Sequence, residues 1–262
     1  MSAAAERLDA LLQLMARLRD PQRGCPWDRE QDFSTIAPHT IEEAYELEEA
    51  ITGGEPKRIR DELGDLLFQV VFHAQMASER GWFNFADVAA GVHDKLVRRH
   101  PHVFGGAVGE GQADLSRAWD QAKAAERAAS GAHGALAGVA VALPALSRAA
   151  KLARRAGAVG FDWFDEHAVR PKIAEELRET EQAIATGNAV TIEEELGDTL
   201  FALANWARLL HVDPENALRS ANRKFERRFA AMEALMAERG WKAADLDAER
   251  WDELWVSVKS TE

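Results

Sequence analysis

The stretch DELGDLLF, residues 61–68, decides the fold because it returns in altered form as EELGDTLF, residues 194–201. In both copies the glutamate and the aspartate are three positions apart, so on a helix they share one face. Upstream, EEAYE at 42–46 returns as EELRE at 175–179. The offset from Glu43 to Glu176 and from Glu62 to Glu195 is 133 residues in both cases. The chain therefore contains an internal repeat.

Each copy continues with a basic cluster and then with a tryptophan. KLVRR at 95–99 returns as KFERR at 224–228, and Trp119 returns as Trp255. Residues 124–142 are rich in alanine and glycine, which is typical of a flexible linker. We therefore expect two homologous domains at 1–123 and 143–262. A single bundle fused from both repeats is the alternative.

The composition favours helices, since alanine, leucine, glutamate and arginine are abundant and only eight prolines occur. No pair of segments alternates convincingly between polar and apolar residues, so the predicted class is all-α. An amphipathic helix is expected in residues 1–20. The other predicted helices are Ile41–Ile51 with Thr40 as N-cap, Asp61–Ala77, Ala86–His100, Leu115–Ala129, Pro171–Ala185, Ile192–Leu210, Asp213–Gly240 (continuous or broken) and Ala248–Lys259.

Composition also excludes several functional classes. The net charge of -12 argues against binding of a nucleic acid polymer, which requires an excess of basic residues. The single cysteine, Cys25, cannot form an internal disulfide or a multi-thiolate zinc site. No run of eighteen apolar residues occurs, and the N-terminus does not have the pattern of a signal peptide. We therefore expect a cytoplasmic protein that does not associate with membranes.

The repeated carboxylates indicate a metal site. The predicted helix Asp61–Ala77 is apolar almost all round, which is typical of a core helix. Carboxylates in such surroundings are costly unless they are paired or bind a cation. Two antiparallel helices would bring four of them together, and oxygen ligands of this kind suit Mg²⁺, or alternatively Mn²⁺. The predicted ligands are Glu176, Glu179, Glu195 and Asp198, with a second site at Glu43, Glu46, Glu62 and Asp65.

Simpler explanations exist for each of these residues. Thr40 and Glu43 could form a capping box, but the residue equivalent to Thr40 is Ile173, which cannot cap a helix. The carboxylates could also be solvated glutamates at helix ends, the basic clusters solvated helix faces, and the tryptophans core residues. His73 is expected to serve packing, because its counterpart is Trp206. A di-iron site would need Glu-x-x-His pairs, and Glu43 and Glu176 lack them.

The chain resembles the bacterial MazG family of all-α pyrophosphohydrolases over nearly its whole length. The resemblance rests on GCPWDREQDFSTIAPHTIEEAYE at 24–46, DELGDLLFQVVFHAQMA at 61–77, DKLVRRHPHVF at 94–104, EEELGDTLFALANWARLL at 193–210 and ANRKFERRF at 221–229. It implies two tandem helical-bundle domains of the MazG type and a homodimer with helices paired into bundles. It further implies metal-dependent hydrolysis of (d)NTPs to (d)NMP and pyrophosphate, mainly in the second repeat.

The resemblance also implies roles for individual residues. Lys224 and Arg228 match phosphate contacts, and Trp255 matches a residue that lines the nucleotide site. Their first-repeat counterparts are Lys95, Arg99 and Trp119. Three further residues lie beside these positions: Lys172 as a nucleotide contact, and Glu175 or Glu194 as the base that activates the attacking water.

One feature departs from the repeat, and one functional alternative stays open. The first copy inserts HPHVFGGAVGEGQADL, residues 100–115, between its basic cluster and Trp119, which could reshape that site. The alternative function is a nucleotide-sensing regulatory protein without significant turnover.

Overall fold

The computed structural model describes residues 2–105, 134–162 and 167–260, together with Trp119, Lys123 and Glu126. All regular structure in these residues is helical, so the all-α prediction is confirmed. The chain divides into two compact units, Met1–Ala122 and Lys123–Glu262. Each unit contains one copy of the repeat.

In the first unit, α3 and α4 form an antiparallel pair, and α1 and α5 pack against α4. The core between them contains Met15, Ile36, Val71, Phe72 and Met76. We number the described helices in chain order. Those of the first unit are α1 (Ala3–Leu18), α2 (Pro26–Glu30), α3 (Phe33–Gly53), α4 (Pro56–Glu79), α5 (Phe85–Arg99) and α6 (Pro101–Phe104).

The helix α3 begins eight residues before the predicted start at Ile41, and Pro38 lies inside it. Its N-cap is Asp32, whose carboxylate accepts hydrogen bonds from the N–H groups of Ser34 and Thr35. The Thr35 hydroxyl accepts in return from the N–H of Asp32, which completes a capping box. The prediction of Thr40 as N-cap was therefore wrong, because this box stabilises an earlier start at the cost of the hydrogen bond that Pro38 cannot make.

The second unit repeats the antiparallel pair. Its helices are α7 (Ala145–Gly157), α8 (Val169–Thr186), α9 (Ala189–Leu209), α10 (Pro214–Glu238) and α11 (Ala248–Lys259), with a 3₁₀ turn at Ala243–Asp245. The pair is α8 and α9; α7 packs against α9, and α10 packs against α11. Met232 and Met236 of α10 meet Leu254 and Val258 of α11 in a second core.

Most predicted helices are present with shifted ends. The predicted segment Asp213–Gly240 forms one continuous helix, α10, and Ala248–Lys259 has the predicted limits. The helix α7 was not predicted. The predicted helix Leu115–Ala129 falls mainly outside the described residues, of which Trp119, Lys123 and Glu126 are helical. No described helix is both long and apolar enough to cross a membrane.

The apolar surfaces of α4 and α9 are only partly buried within the chain. Leu63, Leu67 and Val70 form an exposed row at helical spacing on α4. An equivalent exposed row lies on α9 at Leu196, Leu200 and Leu203, in each case 133 residues later. The expectation of a core helix is therefore met on the face of α4 that carries Val71, Phe72 and Met76, whereas the leucine-rich row lies outside the core of the single chain.

Two pairs of side chains that join the paired helices differ between the repeats. The Thr40 hydroxyl lies 3.0 Å from His73 Nε2 in the first pair of helices, and the equivalent positions hold Ile173 and Trp206. Conversely, the hydroxyls of Thr180 and Thr199 are 3.1 Å apart in the second pair. Their equivalents are Leu47 and Leu66. At both places the two partners differ together, polar in one repeat and apolar in the other.

Candidate metal and nucleotide site

The pair α8 and α9 brings three of its four predicted ligands together. Carboxylate oxygens of Glu176 and Glu179 on α8 and of Glu195 on α9 all lie within 4.8 Å of one another. Glu176 is buried, with 6% of its surface exposed, and the other two are half-buried. Asp198 is exposed and lies outside this group of three. The three residues are called the second triad below.

The pair α3 and α4 forms the matching group in the first repeat. Oxygens of Glu43 on α3 and of Glu62 and Asp65 on α4 lie within 4.8 Å of one another. Glu46 is exposed and lies outside this group, which is called the first triad. Each triad takes residues from both helices of its pair. In the first triad α3 contributes one residue and α4 two, whereas in the second triad α8 contributes two and α9 one.

Burial and neighbouring carboxylates raise the pKa of one glutamate in each triad. Burial, followed by the negative charges of Asp65, Glu46 and Glu62, raises the pKa of Glu43. Burial, followed by the charges of Glu179, Asp198 and Glu176, raises the pKa of Glu195. Glu46 and Asp198 therefore act on the triads electrostatically although they lie outside them. A bound divalent cation would offset this repulsion, and an all-oxygen set of this size fits a hard cation.

Lys172 contacts the second triad directly. Its ammonium Nζ lies 2.8 Å from Glu176 Oε1 and 3.2 Å from Glu175 Oε1. Hydrogen bonds to these two carboxylates, that of Glu176 first, raise the pKa of Lys172. Of the two candidate bases, Glu175 is thus held by Lys172, whereas Glu194 is exposed on α9.

The first triad has different basic neighbours. The residue equivalent to Lys172 is His39, whose Nδ1 lies 3.3 Å from Glu42 Oε2. Arg58 approaches Glu62 at 3.7 Å, but its shorter contact, at 2.8 Å, is to Glu49. These residues were missed because neither belongs to the repeated motifs.

Each repeat brings its predicted arginine and tryptophan together. The guanidinium carbon of Arg228 lies 5.5 Å from the centre of the Trp255 ring, and that of Arg99 lies 5.3 Å from the Trp119 ring. Both distances allow a cation–π interaction. Lys224 is exposed on α10, and Lys95 is half-buried on α5. The exposed Phe225 lies 5.8 Å from Trp255 and was not predicted as a site residue, although the segment KFERRF at 224–229 combines aromatic and basic residues.

The structure distinguishes between the explanations given above for Glu43 and His73. Glu43 lies in the interior of α3 and is not part of a capping box. His73 stacks on Phe33 with ring centres 5.6 Å apart, and burial lowers its pKa. A packing role for His73 is therefore confirmed.

Comparison with known proteins connects both triads with one family. The family model of the MazG nucleotide pyrophosphohydrolase domain matches residues 31–104 and 164–231, which include all six triad residues. The chain is 48% identical over 258 residues to the nucleoside triphosphate pyrophosphohydrolase of Escherichia coli K12, covering 98% of each chain.

Two further relatives extend this finding. The chain is 42% identical over 259 residues to the nucleoside triphosphate pyrophosphohydrolase/pyrophosphatase MazG of Thermotoga maritima, covering 99% of the present chain and 98% of the relative. It is also 41% identical over 250 residues to the Bacillus subtilis protein YabN. That match covers 95% of the present chain and 51% of the relative.

Proposed function

The chain belongs to the MazG nucleotide pyrophosphohydrolase family, and from this premise we propose that it hydrolyses NTPs and dNTPs to the monophosphate and pyrophosphate. We place the main catalytic site in the second repeat, within residues 143–262. The observation that carries the proposal is the second triad, whose oxygens lie within 4.8 Å of one another inside the segment that matches the family. Such an enzyme serves to cleanse or regulate the nucleotide pool.

The proposed cofactor is Mg²⁺, with Mn²⁺ as a possible substitute. Glu176, Glu179 and Glu195 would hold it, with Asp198 as the predicted fourth ligand. Their closely placed oxygens suit a hard dication. Burial, followed by the charges of Glu179, Asp198 and Glu176, raises the pKa of Glu195, and a bound cation would offset this repulsion. When bound, the cation neutralises negative charge on the triphosphate.

The chain's own residues would divide the remaining work. Lys224 and Arg228 stabilise the negative charge of the departing pyrophosphate. Trp255, beside Arg228 and Phe225, offers an aromatic wall for the nucleotide. Glu175 or Glu194 orients and deprotonates the attacking water. Because Glu175 already bonds to Lys172, Glu194 is the more accessible of the two.

We also propose that the protein is a homodimer. Support comes from the exposed leucine row on α9 and from exposed Leu177 and Ile184 on α8. Several exposed apolar side chains grouped on neighbouring helices are typical of an interface between protein chains. Equilibrium sedimentation should give twice the chain mass of 28.9 kDa, and a monomer at micromolar concentration would contradict the proposal.

The decisive experiment for the activity is a panel of NTPs and dNTPs incubated with the protein and Mg²⁺. We expect equal amounts of the monophosphate and pyrophosphate, resolved by anion-exchange chromatography, and no reaction in excess EDTA. A nucleoside diphosphate with orthophosphate as first products would contradict cleavage between the α and β phosphates. Tight nucleotide binding without any product would favour the nucleotide-sensing alternative.

A further inference from the structure

Lys172 holds a position from which it affects the charge of the proposed metal site. It lies one helical turn before Glu176 on α8, and its ammonium group is 2.8 Å from the Glu176 carboxylate. That carboxylate is buried, whereas Lys172 is only half-buried. A buried carboxylate requires a positive partner. In the absence of metal, Lys172 supplies that partner.

A divalent cation at the second triad would bind the same carboxylate. It would then lie a few ångströms from the ammonium group, and two positive charges at such a distance repel each other strongly. The side chain of Lys172 is long and flexible, and 36% of its surface is exposed to solvent. The ammonium group can therefore move away while Glu176 stays in place.

We propose that Lys172 is an internal counterion that competes with the divalent cation for Glu176 and is released when the cation binds. The released ammonium group then becomes available to the nucleotide phosphates. This inference rests on the proposed function, because it takes Glu176 to be a metal ligand. Within that function, Lys172 is the residue that couples metal binding to nucleotide binding.

The first repeat provides an internal comparison. At the position of Lys172 it has His39, which contacts the exposed Glu42 and not the triad residue Glu43. Arg58 reaches Glu62 only at 3.7 Å and is engaged by Glu49. Among the described residues, no basic side chain approaches the first triad as closely as Lys172 approaches Glu176, and we expect weaker competition there.

The test is titration of the nucleotide-free full chain with Mn²⁺, followed by electron paramagnetic resonance of the free ion. The variant Glu62→Gln with Asp65→Asn serves as background, so that binding reports on the second triad. On this background Lys172→Met should bind Mn²⁺ at least about tenfold more tightly, because it removes a unit charge close to a dication. Lys172→Arg retains the charge and is the matched control, with affinity close to that of the background.

A second measurement tests the coupling. The probe is α,β-methylene-ATP, which cannot be cleaved between the α and β phosphates. It should tighten Mn²⁺ binding strongly in the background protein, because Lys172 gains the phosphates as a new partner. In Lys172→Met this cooperative effect should be smaller than in Lys172→Arg, because direct attraction between the cation and the phosphates persists while the contribution of the Lys172 charge is lost.

Each result supports or overturns the inference. Lys172→Met could fail to fold because Glu176 loses its partner, so Lys172→Gln, which keeps a hydrogen-bond donor without charge, is measured beside it, and circular dichroism checks both. Mn²⁺ affinity that is unchanged or weaker in the folded neutral variants overturns the inference. Equal tightening in Lys172→Arg also overturns it, because charge would not be the cause.

The inference and the proposed function can fail separately. If neither the background protein nor any variant binds Mn²⁺, the metal site of the proposed function fails as well. If Mn²⁺ binding changes as expected but NTPs stay intact, only the hydrolytic function fails.

Discussion

At the scale of single residues, Glu195 and Glu62 occupy equivalent positions in the two triads. Glu195→Gln keeps the side-chain size but removes an anionic ligand, and we expect turnover to fall by roughly two orders of magnitude. Asp198→Asn should also reduce turnover sharply. The matched changes Glu62→Gln and Asp65→Asn should cost less, because the main site is proposed in the second repeat. Initial rates of pyrophosphate release measure all four variants.

The control for these variants is a folding check by circular dichroism. Equal losses in both repeats, with folding intact, would mean that both sites are catalytic or are tightly coupled. Normal turnover in all four variants would leave the carboxylates with a structural role and would contradict the proposed enzyme.

The raised pKa of Glu195 predicts a pH-dependent effect on stability. Burial and the charges of Glu179 and Asp198 favour the protonated form in the folded chain. The destabilising effect of the ionised carboxylate therefore begins as the pH rises above the ordinary value of 4.5 and is complete above the raised value. In EDTA, Glu195→Gln should melt at a higher temperature than the unsubstituted protein at about pH 7, and the difference should shrink towards about pH 4. Calorimetry across this range would contradict the electrostatic explanation if the difference stayed constant.

At the scale of helices, Thr180 and Thr199 join α8 to α9. Thr180 donates its hydroxyl proton to the carbonyl of Glu176, so Thr199 must donate to Thr180. Thr180→Val leaves the buried Thr199 hydroxyl without this acceptor and should cost about 1–3 kcal/mol, while Thr199→Val should cost about 1 kcal/mol. The double variant should cost less than the sum, as measured by urea unfolding in a double-mutant cycle. Strict additivity would show that the hydroxyls do not interact.

The sequence predicted helices well where apolar periodicity is strong and less well at their ends. Asp32 and Thr35 form a capping box that starts α3 early, whereas Pro38, six positions after the cap, favours a later start in the sequence pattern. The helix α7 was missed because its alanine-rich sequence resembles that of the preceding linker. The exposed leucine rows could not be foreseen, since an apolar face has the same pattern whether its own chain or a second one covers it.

For the candidate site, repetition was the informative signal. Both triads follow from carboxylates that recur at one offset, and both arginine–tryptophan contacts follow from the order of motifs. Sequence spacing alone could not show that Asp198 and Glu46 lie outside the triads. Two residues at i and i+3 share a helix face, but their carboxylates need not converge on the same ion. The contact of Lys172 with Glu176 depends on rotamers, which the sequence does not specify.

At the scale of the whole molecule, we propose that the second unit folds alone. Val139 is buried, and the Arg155 guanidinium donates to the carbonyl of Ala135. A fragment 134–262 retains Val139 and this hydrogen bond and should be helical, dimeric and active, whereas 143–262 lacks both and should melt at a lower temperature. Circular dichroism, light scattering and pyrophosphate release test this. An insoluble or monomeric 134–262 beside a well-behaved full chain would favour a single fused bundle.

The paired differences between the repeats also bear on how the gene can change. Two related segments in one gene invite recombination, and an exchange that carried α4 into the place of α9 without α3 would set His73 against Ile173. It would also set Leu66 against Thr180, leaving polar groups beside apolar partners at both places. Exchange of a single helix should therefore destabilise the fold, whereas exchange of a whole helix pair keeps both pairs of side chains matched.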